Sequence, residues 1–188
     1  ATSVAVNASE VTQLTGTVAA LKTAFTAGAA GTITGLNGAE AVILSDTANT
    51  SAADIHSLKN LLDTAADAAS ATASAINLTN VTSLTGPAMD LLAVFAAKAS
   101  GTVSGLADDV DVTIDETGTG DAAVSVADAN LIDSYTTGAI TGTILETDST
   151  TLSSLNSDTD NANAYTITVT GTADAGDLVT LETKTSVK

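Results

Sequence analysis

The chain has 188 residues, enough for one ordinary domain or a short repeat array. Its 22 Asp and Glu face only 5 basic residues, all lysine, for a formal net charge of −17. A surface that negative repels phosphate backbones and anionic headgroups, which argues against nucleic-acid partners. Cysteine is absent, so disulfides and thiolate metal sites are excluded.

The hydrophobic share is 44%, drawn mostly from Ala, Val, Leu and Ile, with two Phe, two Tyr and no Trp. Small and β-branched side chains suit thin, regular layers. No stretch reaches the ~20 consecutive apolar residues of a membrane span. The start at Ala1 has neither a basic region nor a following apolar run, so Ala1 is expected to open a mature, processed chain.

In chain order, a strand is predicted near residues 4–6. A helix follows over about 9–27, with Val11, Leu14, Val18, Leu21 and Phe25 at helical spacing. Ser9 is the expected cap, Gly16 is a point where the segment can split, and Gly28 or Gly31 ends it. Residues 31–35 and 39–46 are β-branched and read as strands. Ser51 then caps a second helix, with Asp54 at the capping-box position and Ile55, Leu58, Leu61 and Leu62 as its apolar stripe.

The pattern then repeats. Residues 11–36 and 81–106 align without gaps and share 13 of 26 positions, among them Leu14/Leu84, Gly16/Gly86, Phe25/Phe95 and Gly35/Gly105. Half identity over an ungapped block marks a duplication. Downstream, "AVILSDT" (41–47) faces "DVTIDET" (111–117). Pro87 replaces Thr17, a position where a helix tolerates proline. A shortened third copy follows, in which Ile144 is matched with Val6 and Leu152 with Leu14. The units are residues 1–70, 71–138 and 139–188, forming one continuous domain.

Alternating strands and helices favour parallel pairing through crossover helices. The expected fold is α/β: a solenoid-like stack of strand-helix-strand-strand-helix units sharing one core. A β-sandwich with short helices is the alternative. Thr185-Ser186-Val187 reproduces Thr2-Ser3-Val4, and both ends are apolar and β-prone. Ser3, Val4, Val6, Leu181, Thr185 and Val187 are therefore candidates for self-assembly into a head-to-tail homopolymer.

The phrases "TITVTGTADAGDLVTLETKT", "SVADANLIDSYTTGAITGTI" and "VTQLTGTVAAL" resemble the Thr-, Ala- and Asp-rich tandem repeats of very large secreted proteins of cyanobacteria and marine bacteria, described as adhesin-like or haemolysin-type calcium-binding. The resemblance implies an extracellular or cell-surface structural role. The glycine-rich nonapeptide that binds Ca²⁺ in haemolysin-type repeats is absent from this chain.

Catalytic constellations are lacking in the sequence. His56 is the single histidine, on the polar side of its predicted helix, and no serine sits in a nucleophile elbow. No enzyme is expected. The densest acidic run is "DDVDVTIDETGTGD" (108–121). At strand period Asp109, Asp111 and Asp115 share one face, with Val110, Val112 and Ile114 on the other. With Glu116 and Asp121 these carboxylates form a candidate oxygen-ligand Ca²⁺ site; "NSDTDNAN" (156–163) is a second. Thr-x-Thr triplets are few and unevenly spaced, as expected for exposed strand faces. Four Asn-x-Ser/Thr sequons fall at Asn7, Asn49, Asn77 and Asn80. The function expected is an extracellular structural subunit of a filament or surface layer. An adhesin or matrix-binding module, Ca²⁺-dependent in one form, is the alternative.

Overall fold

The computed structural model describes residues 5–117, 123–156 and 163–186. Its first unit runs β1 (Val6–Asn7), β2 (Gln13–Gly16), α1 (Val18–Ala29), β3 (Ile33–Thr34), β4 (Ala41–Leu44), β5 (Thr50–Ser51) and α2 (Ala52–Ala69). The second runs β6 (Ile76–Asn77), β7 (Ser83–Gly86), α3 (Ala88–Ala99), β8 (Val103–Ser104), β9 (Asp111–Ile114) and α4 (Val126–Asp133). Then come β10 (Ile140–Thr143), α5 (Ser149–Leu152), β11 (Ala164–Thr166) and α6 (Ala175–Glu182).

The protein is α/β, and every strand pairing among the described residues is parallel. The antiparallel pairing on which sandwiches are built is not found among them. The sheets have the orders β1-β3, β2-β4-β6-β8 and β5-β7-β9-β10-β11. Register repeats at the duplication period: Leu14 lies beside Val42 and Leu84 beside Val112. Val42 is paired on its other side by Ile76, and Val112 on its other side by Ile140.

Alternation drives the strands. In β9 Asp111 and Thr113 face solvent while Val112 and Ile114 are buried. The apolar stripes of the helices meet these inward side chains in one cluster that includes Leu21 and Phe25 of α1, Ile55 and Leu58 of α2, Leu91 and Phe95 of α3 and Ile132 of α4. Phe95 stacks on Tyr135 with ring centroids 5.4 Å apart.

The helix expected over 9–27 begins only at Val18. Gln13–Gly16 is strand β2, and Thr17 rather than Ser9 is the cap, its hydroxyl accepting the Ala20 N–H at 3.2 Å. The Ser9 N–H is held instead by Asn7 Oδ1 at 2.9 Å. Val11 and Leu14 fall at helical spacing from Val18 by coincidence of a strand running into a helix. Gly35 has φ +90 and a Cβ there would lie 2.5 Å from the Ser9 nitrogen, so the β1 turn packs against a position that only glycine fits. Gly105 repeats this against Thr79.

The third unit keeps a different register from the one read in the sequence. Ile140, not Ile144, takes the ladder position over Val112 that Ile76 takes over Val42. Ile144 forms a parallel bridge with Val124, and Leu152 is a buried residue of α5 rather than a strand residue like Leu14. Shortened loops moved the match by several residues.

Candidate functional site

The two faces at the extremes of the sheet order differ from the interior in one respect. Val6 is 62% exposed, while its duplicate Ile76 is 0% exposed. Val11 is 37% exposed against 2% for Val81, and Leu14 is half-buried where Leu84 is fully buried. The side chains are nearly the same; what differs is the neighbouring strand. β6 lies between β4 and β8 and β7 between β5 and β9, whereas β1 and β2 stand at the edges of their sheets.

The other face carries α6 and β11. α6 begins 123 positions after α2, and at that offset Ala41, Thr47, Ala52, Asp54 and Leu58 recur as Ala164, Thr170, Ala175, Asp177 and Leu181. Leu178, the counterpart of Ile55, is 45% exposed against 1%. Val179 is exposed as well. Among the assembly residues expected from the sequence, Val6 is exposed on the first of these faces, in β1. Leu181 is not: it is buried in the core of its own chain. The Thr185 hydroxyl donates to the Tyr165 carbonyl at 2.7 Å. Ser3, Val4 and Val187 lie outside the described residues.

The acidic residues are distributed by backbone demand. Asp46 Oδ2 accepts the N–H of Val18, the first residue of α1, at 2.7 Å. Glu116 does the same for Ala88 at the start of α3, and Glu146 for Val126 at the start of α4, both at 2.9 Å. Each carboxylate comes from a later strand-to-helix turn and satisfies an orphan N–H at the positive end of a helix dipole. Asp46 and Glu116 are 70 positions apart, so the duplication already held this signal as an acid kept at one place.

Of the proposed Ca²⁺ ligands, Glu116 is thus engaged at α3. Asp111 Oδ1 accepts the Ala139 N–H at 2.9 Å. Asp115 Oδ1 accepts both the hydroxyl (2.6 Å) and the N–H (3.0 Å) of Thr117, which hold its carboxyl below the ordinary aspartate value of 3.8. Asp109 is exposed, and Asp121 lies outside the described residues. Among the described residues no three Asp, Glu, His or Cys side chains converge as a metal-holding group. In the second acidic run, 157–162 lie outside the described residues. Asn163 is buried, its Oδ1 accepting the Ile140 N–H and its Nδ2 donating to Asp133.

His56 is exposed on α2, with Nδ1 2.9 Å from Asp90 Oδ1 of α3. Sequon side chains serve turns: Asn77 Oδ1 accepts from Thr79, and Asn80 Nδ2 donates to the Leu44 carbonyl at 2.7 Å. A groove of about 460 Å³ lies between the C-terminal ends of α1 and α2, floored by Phe25, Leu36 and Leu61 and walled by alanines. No titratable side chain lines it. No helix among the described residues is long and apolar enough to cross a membrane. Comparison with family models, with curated proteins and with solved structures gave no match to this chain.

Proposed function

We propose that this protein is a structural subunit whose turns stack as a solenoid, and that copies associate head to tail into a filament or surface layer outside a bacterial cell. The observation that carries the reading is the contrast between duplicated positions: Val6 and Val11 are exposed where Ile76 and Val81 are buried. Inside the chain, Ile76 is covered between strands β4 and β8, and a second copy would supply the strand that Val6 lacks.

The complementary face is also present in the same chain. β11 and α6 repeat β4 and α2 at a fixed offset, and β4 and α2 are the elements on which the second unit rests. A face that matches the lower half of an internal junction and a face that matches its upper half point in opposite directions along the stack. Such a contact is heterologous and extends without closing. The net charge of −17 favours solubility of the free subunit and opposes close approach, so salt should promote association.

Negative-stain electron microscopy with sedimentation velocity over a concentration and salt series tests this. Filaments one subunit wide that lengthen with concentration are expected. A monodisperse monomer at the highest concentration and salt contradicts the proposal.

A further inference from the structure

Resting on the head-to-tail reading, we infer that residues 184–186 form a strap over the outer edge of β11 and compete with strand β1 of a second copy for that edge.

Among the described residues β11 is the last strand of its sheet, with β10 on its inner side. Its interior counterpart is β4. At the 123-residue offset Val42 and Ile43 become Tyr165 and Thr166. Inside the chain that edge of β4 is taken by β6, in the register Val42 with Ile76 and Ile43 with Asn77. Residues 1–7 and 71–77 share Ala, Thr, Ala and Asn at matching positions, "ATSVAVN" against "ATASAIN". The strand equivalent to β6 is therefore β1, and the register carried over to a second copy sets its Val6 beside Tyr165 and its Asn7 beside Thr166.

That same edge already has an occupant from its own chain. The Thr185 hydroxyl donates to the Tyr165 carbonyl at 2.7 Å, and the Ser186 N–H donates to the Asn163 carbonyl at 2.8 Å. The strap leaves α6 through a turn in which the Lys184 N–H reaches the Leu181 carbonyl, and Lys184 itself is buried. A parallel strand added to β11 needs the carbonyls that the strap holds. The two arrangements exclude one another, and the strap sets a concentration threshold for assembly.

The experiment compares the wild-type chain with Ser186→Pro, which removes the N–H donated to Asn163, and with Thr185→Val, which removes the hydroxyl donated to Tyr165. Both are combined in a third variant. Each bond removed from the strap but not from the assembled edge lowers the critical concentration, by about tenfold for the combined variant. Adding Val6→Asp to the combined variant abolishes assembly, because a carboxylate then faces Tyr165. Thermal melts of dilute protein keep the readout separate from folding, and Thr185→Val stands as the conservative arm if the proline variant unfolds.

If wild type and variants assemble at the same concentration, or the variants assemble less readily while folded, the strap is not a competitor although the filament reading survives. If no variant assembles under any condition, both fall. If Val6→Asp leaves assembly of the combined variant unchanged, β1 is not the competing strand and the inference is overturned.

Discussion

Truncating the same ladder position in the two copies should have opposite consequences for the free subunit and for the assembled one. Ile76→Ala empties a site that is fully buried between β4 and β8. Large-to-small changes at such sites cost about 2–5 kcal/mol. Val6→Ala removes two methyl-sized groups from a residue that is 62% exposed, so dilute monomer should lose no more than about 0.5 kcal/mol. In a filament the exposed fraction of Val6 is covered. At about 0.8 kcal/mol per buried methylene, two groups with roughly three-fifths of their surface newly buried contribute about 1 kcal/mol per junction. The critical concentration should rise about fivefold. Urea denaturation of dilute protein measures the first quantity and pelleting across a concentration series the second. Equal destabilisation of the dilute monomer by the two changes would mean instead that Val6 is already covered within one chain.

Glu40 stands where the second copy has Val110; both are buried, Glu40 Oε1 accepts the Asn37 N–H, and Oε2 has no partner among the described residues. An unpartnered buried acceptor costs about 1–3 kcal/mol, so Glu40→Val should stabilise by about 1 kcal/mol after the lost Asn37 bond, read from the urea midpoint. Asp46→Ala and Glu116→Ala each remove a carboxylate from the start of a helix and should each destabilise by about 1 kcal/mol in the same assay, with little coupling because they serve different helices. Asp148 has its carboxyl held below 3.8 by the Thr151 N–H, so the contribution of this cap is present above the unfolded value and is lost as pH falls through the folded one. Carboxyl NMR titration should place the Asp148 inflection below 3.8, and Thr151→Pro, which removes that N–H, should move it up towards 3.8.

Much of the architecture was legible because duplication writes its constraints twice. The α/β class, the buried face Val110, Val112 and Ile114, and the Ser51 cap with its Ile55, Leu58 and Leu62 stripe all follow from periodicity, and the structure has them in place. β2 was not legible. Leu14 of β2 and Val11 just before it extend the helical stripe of α1 backwards, and only the glycine after Thr15 marks the break. The third unit misled for a different reason: deletions shift sequence matches, while ladder register follows the hydrophobic residue that reaches the core, which is Ile140. The acidic run at 108–121 drew a ligand reading from its density of charge and the strand face shared by Asp109, Asp111 and Asp115. Glu116 and Asp111 answer backbone donors of other elements, a role that spacing within one segment does not reveal, while Asp115 answers Thr117 two residues on.

Hydrogen exchange at low and high protein concentration tests most directly whether the first edge is built to be covered by another copy. The amides of β2 that do not face β4 should exchange rapidly in dilute solution, and on concentration they should slow towards the protection of their counterparts in β7, which stay slow throughout. Unchanged exchange of these amides in samples where filaments are visible would mean that no second copy covers this edge.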